Sequence, residues 1–210
     1  MLSRVFGFLI LLLILACYPL AQVLPVSAGW ENGLVENAQV VVLAGGAIMA
    51  LFFSTRSQSK QWRWFWLMLV PLWLLLIGRE LSWGASVLMP ALRMHAETGP
   101  VYSSSQLDFR MQMHVIAGAL LVLSALIFIL TRQYRSIVQI VRKRSLPVFE
   151  IVLAVCAAIL CTNAEGHGFM TFSALSEGQQ QVLEELFELC VYLSVVAGQY
   201  RIGNKFGKMG

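Results

Sequence analysis

Residues 112–131, QMHVIAGALLVLSALIFILT, hold no Asp, Glu, Lys or Arg. A run of this length and character crosses a hydrocarbon core about 30 Å thick, which takes ~20 helical residues. Lipid offers backbone amides no partner, so the segment must satisfy itself as a helix. Five further stretches read the same way: 5–24, 36–54, 64–83, 146–165 and 181–200. The composition agrees. Of 210 residues, 58% are apolar and 12% charged, against roughly 25% charged in a soluble domain. Mean hydropathy is +0.73. So few charges cannot build a water-facing shell, which excludes a soluble globular enzyme, a disordered chain and a nucleic-acid-binding domain. The expected fold is all-α: a polytopic transmembrane helix bundle of about six spans, one integral membrane domain over 1–210.

The basic residues orient the spans. Arg4, then Arg56, Lys60 and Arg63, then Arg132, Arg135, Arg142, Lys143 and Arg144, then Arg201, Lys205 and Lys208 all fall on one side. Only Arg79, Arg93 and Arg110 fall toward the other. By the positive-inside rule both termini are cytoplasmic, and the expected location is a bacterial inner membrane. The net charge of +4 is then a topological signal rather than a nucleic-acid surface. Among the acids only Glu150 lies at the cytoplasmic face. Trp62, Trp64 and Trp66 form an aromatic belt beside it.

Arg4, the apolar run and Ile14-Leu15-Ala16-Cys17 resemble a lipoprotein-type signal. Cleavage there would lipidate Cys17; the expected outcome is a retained first helix, because the apolar run continues beyond Cys17. Cys156, Cys161 and Cys190 fall inside spans and read as buried packing residues. Pro71 should kink the third span. Residues 85–96 read as a short interfacial helix, and Phe169, Met170 and Phe172 as residues dipping into the interface.

Counting ~20 residues from each cytoplasmic boundary places ionisable groups of five helices in one outer layer. Charges at this depth are costly and usually face the bundle interior. Glu184 and Glu188 share a helix face, extended by Gln181 and Tyr192, with Glu185 beside it. Arg110 and His114 are likewise one turn apart. Ala154, Ala158, Cys161 and Glu165 form a stripe expected to face the bundle, and Ala44-Gly45-Gly46-Ala47 reads as a close helix contact. Glu31, Glu97 and Glu177 read as solvated loop acids. Seven acids in the layer (Glu36, Glu80, Asp108, Glu165, Glu184, Glu185, Glu188) face two permanent cations, Arg79 and Arg110. They cannot all ionise at low dielectric without protons, charged histidines or a bound cation. A divalent metal, zinc or calcium, held by Glu36, His114, Glu165, His167 and Glu184 would balance them.

Two segments carry a family resemblance. Gly29-Trp30-Glu31-Asn32-Gly33-Leu34-Val35-Glu36-Asn37 leads into the second helix, and Gly78-Arg79-Glu80-Leu81-Ser82-Trp83-Gly84 ends the third. Together they resemble a group of bacterial multi-pass inner-membrane proteins of unknown function, in which an acidic pair precedes Ser-Trp-Gly at a helix end. The group usually has Glu where this chain has Arg79. Trp30, Glu31, Asn32, Glu36 and Asn37 are also similar in flavour to a cluster in the alkaline ceramidase-like transmembrane hydrolases. That resemblance implies a histidine-bound zinc, but this chain has no His-x-x-x-His and no seventh helix.

Three functions are open to such a layer. The first is a metal-dependent hydrolase or transferase acting on a lipid or lipid-linked substrate at the outer face. There Glu80 or Glu188 is the general base and Arg79 or Arg110 steadies developing negative charge. The second is a non-enzymatic assembly or scaffold subunit with a membrane-protein partner. The third is a cation- or proton-coupled transporter component, against which the cytoplasmic halves of the spans show almost no polar residues.

Overall fold

The computed structural model describes residues 2–169 and 171–206. Among these are eight α-helices: α1 (Leu2–Val23), α2 (Leu34–Arg56), α3 (Lys60–Glu80), α4 (Ala85–Leu88), α5 (Arg110–Leu130), α6 (Tyr134–Arg142), α7 (Val148–Ala164) and α8 (Glu177–Phe206). A small hairpin joins β1 (Arg93–His95) to β2 (Gly99–Val101). The fold is all-helical apart from that hairpin. Four helical segments are long and apolar enough to cross a membrane, those containing α1, α2, α3 and α5. α7 is apolar but shorter. α8 is long, but Glu184, Glu185 and Glu188 interrupt its apolar character.

α8 is the hub. It packs along α7, α1 and α2; α3 then packs on α2, and α5 on α3. One end of the bundle is aromatic and basic. There Trp62 of α3 stacks on Phe206 of α8 at 4.3 Å, and Phe53 of α2 meets Trp66 at 5.0 Å. The other end gathers the start of α2, the end of α3 and the first turns of α8. Glycine allows the close approaches. A Cβ on Gly29 would lie 2.7 Å from the Val182 backbone of α8, and one on Gly46 would lie 2.8 Å from the Trp73 ring. Gly45 has open space, so Gly46 and the buried Ala47 carry the predicted small-residue contact.

Several expectations change. The buried stripe of α7 is Glu150, Leu153, Ala157 and Ala164. Of the predicted stripe, Ala154 and Cys161 are half-buried, whereas Ala158 and Glu165 are exposed. Cys156 is exposed, whereas Cys17 is buried in an unbroken α1 with its Sγ 3.8 Å from that of Cys190. The predicted interfacial helix at 85–96 is one turn, α4, followed by the hairpin, whose reversal uses Gly99 at φ +76°. Phe169 is exposed and Phe172 packs 6.1 Å from Tyr18; Met170, the Arg4 side chain and Lys208 lie outside the described residues.

Candidate functional site

The end of α3 is shaped by a strained reversal. Ser82, Trp83 and Gly84 all take left-handed backbone conformations, at φ 46°, 58° and 95°. Each non-glycine residue there costs roughly 1–2 kcal/mol, and such strain persists where surrounding structure over-determines it. Here the Trp83 ring folds back on the last turn of α3 and occupies the space over Gly78, where a Cβ would lie 2.7 Å from it. The Gly-Arg-Glu-Leu-Ser-Trp-Gly motif is therefore a structural unit that ends α3 and presents Arg79 and Glu80.

Arg79 Nη2 donates to Glu188 Oε1, and its Nε lies 3.6 Å from Glu80 Oε1. The Tyr192 hydroxyl is 2.7 Å from Glu80 Oε1 and 2.9 Å from Glu188 Oε1. A phenol has one proton to donate. It serves one carboxylate; the other contact is a hydrogen bond only when that carboxyl itself carries a proton. Glu80 is buried, whereas the Arg79 side chain is 61% exposed and its Nη1 has no partner among the described residues.

The remaining acids surround this core. Glu36 is buried, accepts from the Asn32 backbone N–H, and feels the charges of Glu80, Glu31 and Glu188. Gln39, fully buried, donates to the Glu185 carbonyl at 2.9 Å and its Oε2 at 2.8 Å. Glu184 feels the charges of Glu165 and Glu188, and Cys161 those of Glu188, Glu184, Glu165 and Glu185. The hairpin caps the layer. Glu31 Oε2 accepts from the Tyr102 N–H at 2.8 Å, Trp30 Nε1 donates to the Glu97 carbonyl at 2.9 Å, and Glu97 Oε2 accepts from the Gly178 N–H at 3.3 Å. Glu31 and Glu97 thus tie loops together rather than standing free; Glu177 is exposed.

The predicted metal set does not assemble. Among the described residues no three His, Cys, Asp or Glu side chains come together to hold a metal ion. Glu36, Glu165 and Glu184 lie in the layer. His114 and Arg110 are exposed on α5, which packs on α3. His167 is exposed in the loop after α7. These three residues stay outside the site because α5 packs on α3 and the turn after α7 leaves His167 exposed. Glu165 is also exposed, not carried inward.

Polar structure at the basic end escaped the sequence reading. Glu150, 2% exposed, accepts from Arg201 Nη1 at 2.9 and 3.2 Å. Gln199 accepts from Trp73 Nε1 and donates to the Gly46 carbonyl, both at 2.8 Å. The signal was present: Gln199 and Arg201 sit inside a helix otherwise rich in apolar residues.

Between the two ends runs a crevice of about 460 Å³. α7 packs along α8 and α3 reaches α8 through Trp73 and Arg79, with little contact between α3 and α7. The opening is walled by Leu72 and Leu76 of α3, Ala154 and Val155 of α7, and Ser194 and Val195 of α8, with Glu150 at its lower end. Residues three apart on a helix share a face, about 4.5 Å apart along the axis. Arg79 therefore stands one turn above Leu76, at the head of this apolar crevice. Comparison with known proteins found no matching family model, no matching curated protein and no matching solved structure.

Proposed function

We propose that this chain is a six-span inner-membrane protein of a bacterium with both termini in the cytoplasm. In this reading α7 and α8 complete the four more apolar spans, since α8 hides its carboxylates against α2, α3 and α7 rather than exposing them to lipid. Its function is to admit a lipid or lipid-linked molecule sideways through the α3–α7 crevice and to carry out hydrolysis or group transfer on its head. One observation carries the reading: an apolar crevice open to the side of the bundle rises to a half-exposed arginine backed by a carboxylate–tyrosine–carboxylate network. An acyl or isoprenoid chain fits the apolar walls, and Arg79 Nη1 is left to donate to a phosphate or oxyanion. Glu188, joined to Arg79 and Tyr192, is the general base; Glu80 with Tyr192 holds the proton that is returned.

The test reconstitutes the protein with a phospholipid bearing a photoreactive group on its acyl chain, and compares membrane lipids by mass spectrometry in cells expressing the wild type or Glu188→Gln. Cross-links to Leu76, Ala154 and Val195 that vanish in Ala154→Trp support the crevice, and a lipid species altered by the wild type alone supports the chemistry. Cross-links confined to the outer faces of α1 and α5 would remove the crevice; identical lipid profiles with both proteins folded would remove the chemistry.

A second reading, an assembly subunit, is favoured by α5. Only 6% of its apolar window is buried within the chain, and Arg110 and His114 stand exposed at its polar end. A stoichiometric partner lost on substitution of Arg110 and His114 would favour it.

A further inference from the structure

At the basic end a second pocket, about 410 Å³, lies between the start of α3 and the α5–α6 turn. Its walls include Lys60, Gln61 and Trp64 of α3, and Arg132 and Arg135 beyond α5. No acid lines it. Among the described residues, none of its three cations has an ion-pair partner. Gln61 Nε2 is buried there without an acceptor. The pocket therefore presents uncompensated positive charge to whatever enters.

The walls are held in place. Arg132 sits at φ 53°, a left-handed conformation that turns the chain sharply after α5. Gln133, fully buried, braces that turn by donating to the Gln61 carbonyl at 3.2 Å and to Thr131 Oγ1 at 2.6 Å. Next to it α6 exposes Tyr134, Ile137, Val138 and Val141, an i, i+3, i+4, i+7 stripe. Its other face buries Ser136 and Ile140. A short helix with an apolar stripe, flanked by arginines, lies in the plane of a membrane interface.

We propose that this pocket binds the phosphate of an anionic phospholipid, with Lys60, Arg132 and Arg135 around the headgroup. The lipid chains run beside Leu130 and the α6 stripe. Juxtamembrane cations attract anionic lipid with about 1 kcal/mol each, or about fivefold in affinity. The proposal rests on the membrane placement of the bundle but not on the α3–α7 crevice.

The test is native mass spectrometry of the detergent-solubilised full chain offered equal phosphatidylglycerol and phosphatidylcholine. The wild type is expected to retain phosphatidylglycerol preferentially. Lys60→Gln/Arg132→Gln/Arg135→Gln should lose that preference, by on the order of a hundredfold, with phosphatidylcholine binding unchanged. Arg142→Gln/Arg144→Gln, outside the pocket, should keep it. Should the triple variant fail to fold, Arg135→Gln alone, at an exposed position, should lower the preference about fivefold. An unchanged preference in the pocket variants, an equal loss in the Arg142/Arg144 variant, or displacement of the lipid by excess inorganic phosphate would each overturn the proposal.

Discussion

Replacing Tyr192 by phenylalanine removes one oxygen and affects two carboxylates unequally. Glu188 keeps Arg79 as a partner. Glu80 keeps only the Arg79 Nε at 3.6 Å, too far for a hydrogen bond. With a side chain 5% exposed, Glu80 also has little access to water. Stranding a buried acceptor costs about 1–3 kcal/mol, and more when it is charged. Taking about 2–3 kcal/mol, and about 2–4 °C per kcal/mol for a chain of this size, Tyr192→Phe should lower Tm by about 4–12 °C. The assay is thermal unfolding in detergent micelles followed by tryptophan fluorescence. A double-mutant cycle isolates the cause. In a Glu80→Leu background there is no stranded carboxylate, so Tyr192→Phe should cost less, with a coupling of about 1–3 kcal/mol. A Tyr192→Phe protein melting within about 1 °C of the wild type, or strict additivity in the cycle, would refute the reasoning.

Gly78→Ala places a Cβ 2.7 Å from the Trp83 ring and should destabilise by about 1–3 kcal/mol, whereas Gly45→Ala meets nothing within 4 Å and should be neutral in the same unfolding assay. For the Glu150–Arg201 pair, Arg201→Ala strands a carboxylate whose side chain is 2% exposed and should cost about 3 kcal/mol; Glu150→Ala strands a guanidinium 38% exposed, which water partly serves, and should cost less. The reverse order of Tm values would contradict this account. For the six-span topology, His95→Cys should react with a membrane-impermeant maleimide in intact cells and Arg142→Cys only after lysis; labelling of both in intact cells would contradict it.

The sequence by itself determined the helices. Apolar runs about 20 residues long between charged loops have one solution in lipid, because each helix satisfies its own backbone. That condition is local, so α1, α2, α3, α5 and α7 coincide with the expected stretches to within four residues and α8 to within six. The shared face of Glu188 and Tyr192 was legible for the same reason, since it is a matter of helical period. Which helices touch is not local. Arg79 and Glu188 are 109 residues apart in the chain, and their pairing depends on α8 lying at the centre with α3 carried to it by α2. Arg110 and His114 were expected in the same layer as the acids, but α5 packs on α3 and leaves both exposed. The hairpin at Arg93–Val101 was missed because Gly99, Trp30 and Glu97 form it through contacts with distant segments. Only the tertiary structure decided that Tyr192 joins two carboxylates and that α3 and α7 leave a crevice between them. Both follow from how side chains far apart in sequence fill, or fail to fill, the space around α8.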